Sequence, residues 1–355
     1  MIPVAEPLLG EKELEYVTDC IRSGWISSIG KYVTKFEEEF SKYCNTKFSV
    51  AVANGTVALH LALAALGVGK GDEVIVPDLT FVATGNVVPY TGAKPVFVDI
   101  DRETWCIDPN KIQEKITKKT KAIIPVHLYG HPCDMDPIME IAEENSLKVI
   151  EDVAESQGAE YRGKKAGSIG NIGCFSFYGN KMMTTGEGGM CVTNDEKIAE
   201  RMRFLENHAM SEEKRYWHTE LGFNYRLTNL QAAVGLAQLE KINKFIEIKR
   251  KNAFLYNGLL KDVSGIVLPV EKPWAKNVYW MYSILVDERD ELMKRLKDKG
   301  IETRPFFYPL HQLPHFKLDE SFPVSDEISR KGINLPSSVN LKEEEIKEIV
   351  KIISG

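Results

Sequence analysis

Apolar positions along the first stretch of the chain recur at helical spacing. Leu14, Val17 and Ile21 stripe Glu11–Arg22, and Phe36 and Phe40 stripe a second helix over Tyr32–Tyr43. Between them Trp25-Ile26-Ser27-Ser28 has no helical period and reads as an aromatic, hydroxyl-rich loop. From Phe48 the pattern changes. Short apolar runs at Phe48–Ala53, Glu73–Val76, Pro95–Val98, Ala122–Val126, Lys148–Glu151, Ile172–Phe177 and Met190–Thr193 read as strands. They alternate with helical stretches at Thr56–Leu66, Thr80–Tyr90, Pro109–Ile116, Pro137–Asn145 and Asp195–Glu206. Runs apolar on both faces and separated by helices predict an α/β fold with a mainly parallel sheet covered on both sides.

Thr228–Leu260 carries one long helical pattern, with room for a break. Its small-residue stripe (Ala232, Ala233, Gly235, Ala237) suits close packing. Beyond it the texture shifts to a strand near Val278–Val286, a helix over Arg289–Lys299, a Pro-rich Arg304–Pro314 and a closing helix at Glu343–Ile353. The expected division is a large domain over residues 1–245 and a smaller α+β domain over 246–355, with the N-terminal segment free to pack on the small domain.

Composition narrows the class. The chain is 355 residues long and 43% hydrophobic, enough for a large core. A formal net charge of -6 and a pI near 5.8 provide no basic footprint for nucleic acid. The six cysteines contain no C-x-x-C pair, which suggests free thiols in a reducing compartment. Met1-Ile2-Pro3-Val4 leads straight into a polar segment, so no signal peptide is expected, and no apolar run reaches membrane-spanning length. A cytoplasmic globular protein without nucleic-acid or membrane partners is the expectation.

Three stretches carry candidate chemistry. In Cys174–Met190 an apolar run ends at Gly179-Asn180 and delivers Lys181 among small and apolar residues. An amine there can lose hydration and fall in pKa, as a Schiff-base lysine requires, although an ordinary loop lysine fits the same position. Asn54-Gly55-Thr56 sits at a strand-to-helix junction, where backbone N–H groups seat a phosphate or where Asn54 simply caps the helix. Glu151-Asp152 ends a strand at the edge where α/β sheets place their sites. A carboxylate there can meet a cationic ring nitrogen or a metal, or serve as a cap or salt-bridge partner.

His127, His131 and Cys133 invite a zinc reading, but Gly130 and Pro132 break any helix aligning them and no fourth ligand is evident, so no metal is expected. The G-x-G-x-x-G, P-loop and G-x-S-x-G patterns are absent. A phosphate seat, a strand-end carboxylate and a lysine together match pyridoxal 5′-phosphate (PLP), which needs an anion site, an acid for its ring nitrogen and an amine for its aldehyde.

Several longer stretches then carry a resemblance: SGWISSIGKYVTKFEEEF, NGTVALHLAL, PVHLYGHPCDMDPI, VIEDVAESQGAEYRGKKAGSIG, FSFYGNKMMTTGEGGM and GFNYRLTNLQAAVGLAQLEKI. On these the chain resembles, essentially end to end, the DegT/DnrJ/EryC1/StrS nucleotide-sugar aminotransferases, which are fold type I PLP enzymes. The resemblance implies that Lys181 holds the cofactor and shuttles the proton, and that Asp152 faces the pyridine nitrogen. Glu155 sits near the ring, Gly55, Thr56 and Ser176 bind the phosphate, and Phe81 stacks on the ring. Asn224 reaches the cofactor phosphate of the partner subunit, which makes a homodimer with shared sites necessary. Trp25, Ile26 and Ser27, with Arg304 and His311, lie near the sugar nucleotide.

The implied reaction has two halves. L-Glutamate converts PLP to pyridoxamine 5′-phosphate, and a nucleotide-linked 4-keto-6-deoxy sugar then takes the amine. Within the family the chain is most like enzymes acting at C4 of GDP-4-keto-6-deoxy-D-mannose on the way to O-antigen or other surface polysaccharide. A dTDP- or UDP-linked keto sugar is the alternative substrate, and a non-catalytic cofactor- or sugar-binding regulator the alternative class. Sugar dehydratases of the same fold carry His where this chain has Lys181. One departure stands in Asn207-His208-Ala209-Met210, where close relatives have a Gly-Gln-Gly-like segment; Ala209 has less backbone freedom than glycine.

Overall fold

The computed structural model describes residues 1–355. Two helices, α1 (Glu11–Ser23) and α2 (Lys31–Cys44), open the chain. Each ends on a left-handed residue, Gly24 at φ 75° and Asn45 at φ 58°, residue types that adopt this conformation at least cost. There follow β1 (Phe48–Val52), α3 (Gly55–Ala65), β2 (Glu73–Pro77), α4 (Val82–Tyr90), β3 (Lys94–Val98), α5 (Pro109–Ile112), β4 (Thr120–Ile123), α6 (Met135–Glu144) and β5 (Lys148–Asp152). A short hairpin, β6 (Glu160–Tyr161) and β7 (Lys164–Lys165), precedes β8 (Ile172–Ser176), β9 (Gly189–Thr193) and α7 (Glu196–Glu206).

The large sheet has seven strands in the order β1-β9-β8-β5-β4-β2-β3. Only β9 runs against the others. The carboxyl ends of the remaining strands therefore share one edge, where Asn54 follows β1, Asp152 ends β5 and Ser176 ends β8. That edge is where an open α/β sheet presents a ligand crevice.

The long helical pattern breaks at Glu240-Lys241 into α8 (Asn229–Leu239) and α9 (Ile242–Leu260). Its small-residue stripe has a plain cause: a Cβ on Gly235 would lie 2.7 Å from the Phe36 ring. β10 (Ile266–Val267), β11 (Ala275–Lys276), β12 (Tyr282–Val286), α10 (Arg289–Asp298), β13 (Arg304–Pro305), α11 (Pro323–Lys331), β14 (Gly332–Leu335) and α12 (Glu343–Ser354) complete the chain. A four-stranded antiparallel sheet, β10-β12-β14-β13, forms here, while β11 pairs instead with β6. The N-terminal segment lies on these later elements: Ile2 bridges Ile301, Val4 N–H donates to Glu302 Oε2 (3.1 Å) and Ser337 N–H donates to Val4 O (3.0 Å).

Several elements differ from the sequence expectation. The strand expected over Val278–Val286 begins only at Tyr282, because Tyr279 takes φ 50° and Val278 N–H donates to Gly130 O (3.1 Å). Helix α5 stops at Ile112 and tightens into a 3₁₀ turn over Gln113–Lys115. No element was expected over residues 323–335, where Pro323 opens α11 and buried Ile333 and Leu335 form β14. All six cysteines are buried free thiols, and no helix is long and apolar enough to cross a membrane.

Helix α2 is locked to the sheet by rings. Phe40 meets Phe175 edge-on at 4.9 Å and Phe177 at 5.3 Å, and Phe36 meets Phe177 at 5.3 Å. Since Phe175 and Phe177 flank Ser176, this packing holds the end of β8 in place. Phe40→Ala should lower the unfolding free energy by about 3–5 kcal/mol, measured by denaturant titration.

Candidate active site

The sheet edge opens into a cavity of about 610 Å³, within the range of cofactor and ligand sites. Asn54, Gly55, Thr56, Phe81, Asp152, Glu155, Ser176, Lys181 and Arg304 all line it. The strand alternation explains how one carboxylate pair splits its duties. Successive side chains on β5 point to opposite faces. Glu151 turns into the structure, accepting N–H bonds from Gly167 (2.8 Å), Ile169 (2.7 Å) and Gly170 (2.6 Å), with His127 Nε2 at 3.0 Å. Asp152 turns into the cavity.

His127 is the partner that makes Glu151 structural. Its Nδ1 accepts from Cys133 N–H (2.9 Å), so Nε2 carries the proton and donates to Glu151. His131 Nδ1 lies 2.7 Å from Pro132 O, and Cys133 Sγ donates to Val126 O (3.1 Å). The three residues that invited a zinc reading are thus spent on separate hydrogen bonds.

Asp152 is 5% exposed. Its Oδ2 accepts from Thr84 Oγ1 (2.8 Å) and its Oδ1 from Ala154 N–H (3.1 Å). Burial nevertheless raises its pKa above the usual carboxylate range. Glu155 accepts from Tyr129 N–H (2.9 Å), and burial pushes it up to about 7. Lys181 Nζ lies 3.9 Å from Glu155 Oε1 and 3.7 Å from the centre of the Trp280 ring. Burial lowers the pKa of this amine, while Glu155 and Asp152 oppose the shift and Arg304 adds to it. Asp152 has a hydroxyl and one N–H for partners but no ion-pair partner in the chain; a protonated ring nitrogen there would supply one.

At the other end, Asn54 caps α3 through Oδ1, accepting from Val57 N–H (3.0 Å). Capping and anion binding are compatible here, since the N–H groups of Gly55 and Thr56 have no intrahelical partner. A Cβ on Gly55 would stand 2.6 Å from Ser176 Cβ, so only glycine lets the helix start approach the end of β8. These amides, the Thr56 and Ser176 hydroxyls, the buried amine and the facing carboxylate fit a phosphorylated aldehyde with a basic ring.

Other expected residues lie elsewhere. Trp25 and Ile26 are exposed, and neither they nor Ser27 line this cavity; Asn229 fixes their loop, its Nδ2 donating to Trp25 O (2.7 Å) and its N–H to Ser27 O (2.6 Å). Asn224 is also exposed and outside the cavity. Arg226 Nη2 donates to its Oδ1 (2.9 Å), leaving the amide NH₂ without a partner in the chain. His311 is not brought into the cavity. Its Nδ1 pairs with Asp78 Oδ2 (2.8 Å) and its Nε2 stands 3.5 Å from Asp326 Oδ1, a buried tether between the end of β2 and α11.

Sequence reasoning missed Trp280, Tyr129, Phe307 and Asn334 in the lining. Tyr129 takes φ 51° within the HLYG stretch, and a left-handed tyrosine leaves no periodic signal. His208 and Ala209 both take left-handed backbone, φ 62° and 50°. A glycine would adopt this geometry freely, whereas alanine adopts it at a cost on the order of 1 kcal/mol.

Fold and site together define a lysine-centred α/β aminotransferase. The chain belongs to the DegT/DnrJ/EryC1/StrS aminotransferase family, whose pattern matches residues 7–354. It is 48% identical to the GDP-perosamine synthase of Escherichia coli O157:H7, over 99% of this chain and 98% of that one. It is 46% identical to the GDP-perosamine synthase of Caulobacter vibrioides, over 98% and 96%. Its fold is similar to that of Spr1654 from Streptococcus pneumoniae in the PLP form, at a TM-score of 0.94 and 28% identity over 99% and 97% of the two chains.

The electrostatics make a stability prediction. Unfolded, Glu155 ionises near its ordinary 4.5; folded, it does so at about 7. Between these values the folded chain keeps a proton that the unfolded chain has released, so the contribution of Glu155 to stability falls as pH rises through that window. The Glu155→Gln variant, freed of cofactor, should lose this part of the decline when urea unfolding is compared at the two ends of the window.

Proposed function

We propose that this chain transfers an amino group from L-glutamate to C4 of GDP-4-keto-6-deoxy-D-mannose, as a GDP-perosamine synthase with PLP as cofactor. The observation that carries the chemistry is the buried Lys181 amine beside Glu155 and Asp152, in the cavity that Gly55 and Thr56 also line. The choice of sugar rests on 46–48% identity, along the full chain, to relatives named for that activity.

Gly55, Thr56 and Ser176 would bind the cofactor phosphate, Phe81 would pack on the ring, and Asp152 would pair with the ring nitrogen. Glu155 stands beside Lys181. Bound there, PLP supplies an aldehyde for amine exchange and a ring that withdraws electrons from the carbon losing its proton. Lys181 Nζ takes the proton from Cα of the donor and later returns one to the sugar carbon. Burial suits it to this, because a lowered pKa makes its neutral form accessible near neutral pH. A negative Asp152 would keep the ring nitrogen protonated, and that cation would in turn offset the burial that disfavours the carboxylate charge.

The working unit in this proposal is a homodimer. Asn224 and the Trp25–Ser27 loop are surface features that do not line the chain's own cavity, and a second copy would bring them to it. The unpaired NH₂ of Asn224, its Oδ1 held by Arg226, suits a phosphate oxygen. Arg304 stands at the cavity as a cation for the sugar nucleotide. Residues 1–245 form the cofactor-binding domain and 246–355 the small domain. The setting is cytoplasmic, and the product serves O-antigen or related surface polysaccharide.

The test is a panel of GDP-, dTDP- and UDP-linked 4-keto-6-deoxy sugars, each incubated with glutamate and followed by mass. The GDP sugar should be aminated preferentially, and glutamate alone should bleach the visible absorbance of the holoenzyme. Preference for a dTDP or UDP sugar would overturn the sugar assignment, and loss of both signals the aminotransferase itself.

A further inference from the structure

The Lys181 amine makes no hydrogen bond within the chain. Its nearest carboxylate oxygen, Glu155 Oε1, is 3.9 Å away, too far for one. Nζ stands instead over the face of Trp280, 3.7 Å from the ring centre. An ammonium this close to an indole face, with the ring 4% exposed, is held by the ring quadrupole with little screening by water.

The ring is fixed for the purpose. Its Nε1–H donates to the carbonyl of Asn180, the residue just before Lys181, at 2.7 Å. Its other neighbour is Tyr129, stacked at 6.3 Å with planes 15° apart. The backbone bringing Trp280 here depends on Gly130, where a Cβ would lie 2.7 Å from the nitrogens of both Tyr279 and Trp280. Residues contributed by two distant parts of the chain thus converge on one amine.

We propose that the indole face of Trp280 is the seat of the Lys181 amine when that amine is off the cofactor and carries a proton, holding the ammonium between the ring and Glu155. The inference rests on Lys181 being the cofactor-bonding and proton-shuttling residue proposed above. In that role the lysine is free after each amine exchange and carries a proton once it has taken one from a substrate carbon. Other charged groups also act on it: Glu155 and Asp152 favour the ammonium, while Arg304 disfavours it. Trp280 adds a neutral contact that favours the ammonium without adding charge to the cavity. It is a positioning residue, acting through Lys181.

The test uses the full-length chain stripped of cofactor, acetylated with trace acetic anhydride across a pH series, with the Lys181 peptide quantified by mass. Only the neutral amine reacts, so the midpoint of the profile reads the protonation of Nζ. Trp280→Leu should lower that midpoint by about one pH unit, roughly a tenfold change in neutral fraction, and Trp280→Phe by clearly less. Lys118, exposed in the turn before β4, serves as the internal reference for reagent reactivity. If Trp280→Leu fails to fold, Trp280→Met replaces it with the same expectation.

An unchanged Lys181 midpoint overturns the proposal, as does an equal shift in the Phe variant or a matching shift at Lys118. The experiment contains no sugar and no glutamate, so its failure is distinct from failure of the proposed reaction.

Discussion

The site depends on one constraint: an amine must be buried without being neutralised outright. Lys181 reaches the cavity from the loop after β8, and burial lowers its pKa. Glu155 and Asp152 oppose that, at a cost to themselves, since each is raised in turn by its own burial. The balance leaves three ionisable groups shifted from their ordinary behaviour within one cleft, the arrangement expected where proton transfer is the task. Everything around them serves to hold that geometry. The Phe36–Phe40–Phe175–Phe177 cluster fixes the end of β8, and the hydrogen bonds to Glu151 fix the end of β5.

The division between Glu151 and Asp152 shows how much a strand position decides. Adjacent carboxylates on one strand point to opposite faces, so one becomes a buried anchor and the other a cavity acid. Glu151 collects three backbone donors and a histidine. Asp152 collects a hydroxyl and one N–H, a thinner set that leaves its charge under-compensated. A cationic cofactor atom completes the second set and has no place in the first.

Much of the fold was legible in the sequence because the large sheet is built from continuous apolar runs. Those runs have no other reading when helices of regular period separate them. Their carboxyl ends located Gly55, Asp152 and Lys181 at one edge, the family resemblance added Ser176, and all four line the cavity. The second half was less legible. Residues 323–335 combine a short helix with a short strand, and neither is long enough for a period to emerge. Trp280 read as strand core, since left-handed backbone at Tyr279 and the docking on Gly130 depend on tertiary contact. His311 was a site expectation only through the family resemblance; a histidine in a Pro-rich loop carries no sign of its partner, and the buried Asp78 that pairs with it is distant in the sequence. Asn224 and the Trp25–Ser27 loop do not line the cavity of their own chain, so no reading of a single subunit places them there.

The central claim is that the cofactor is held through Lys181 and no other amine. Sodium borohydride reduction of the PLP-loaded protein, followed by digestion and peptide mass mapping, tests it directly. The account predicts a single pyridoxyl adduct on Lys181. An adduct on a different lysine, or an unmodified Lys181 after full reduction, would contradict it.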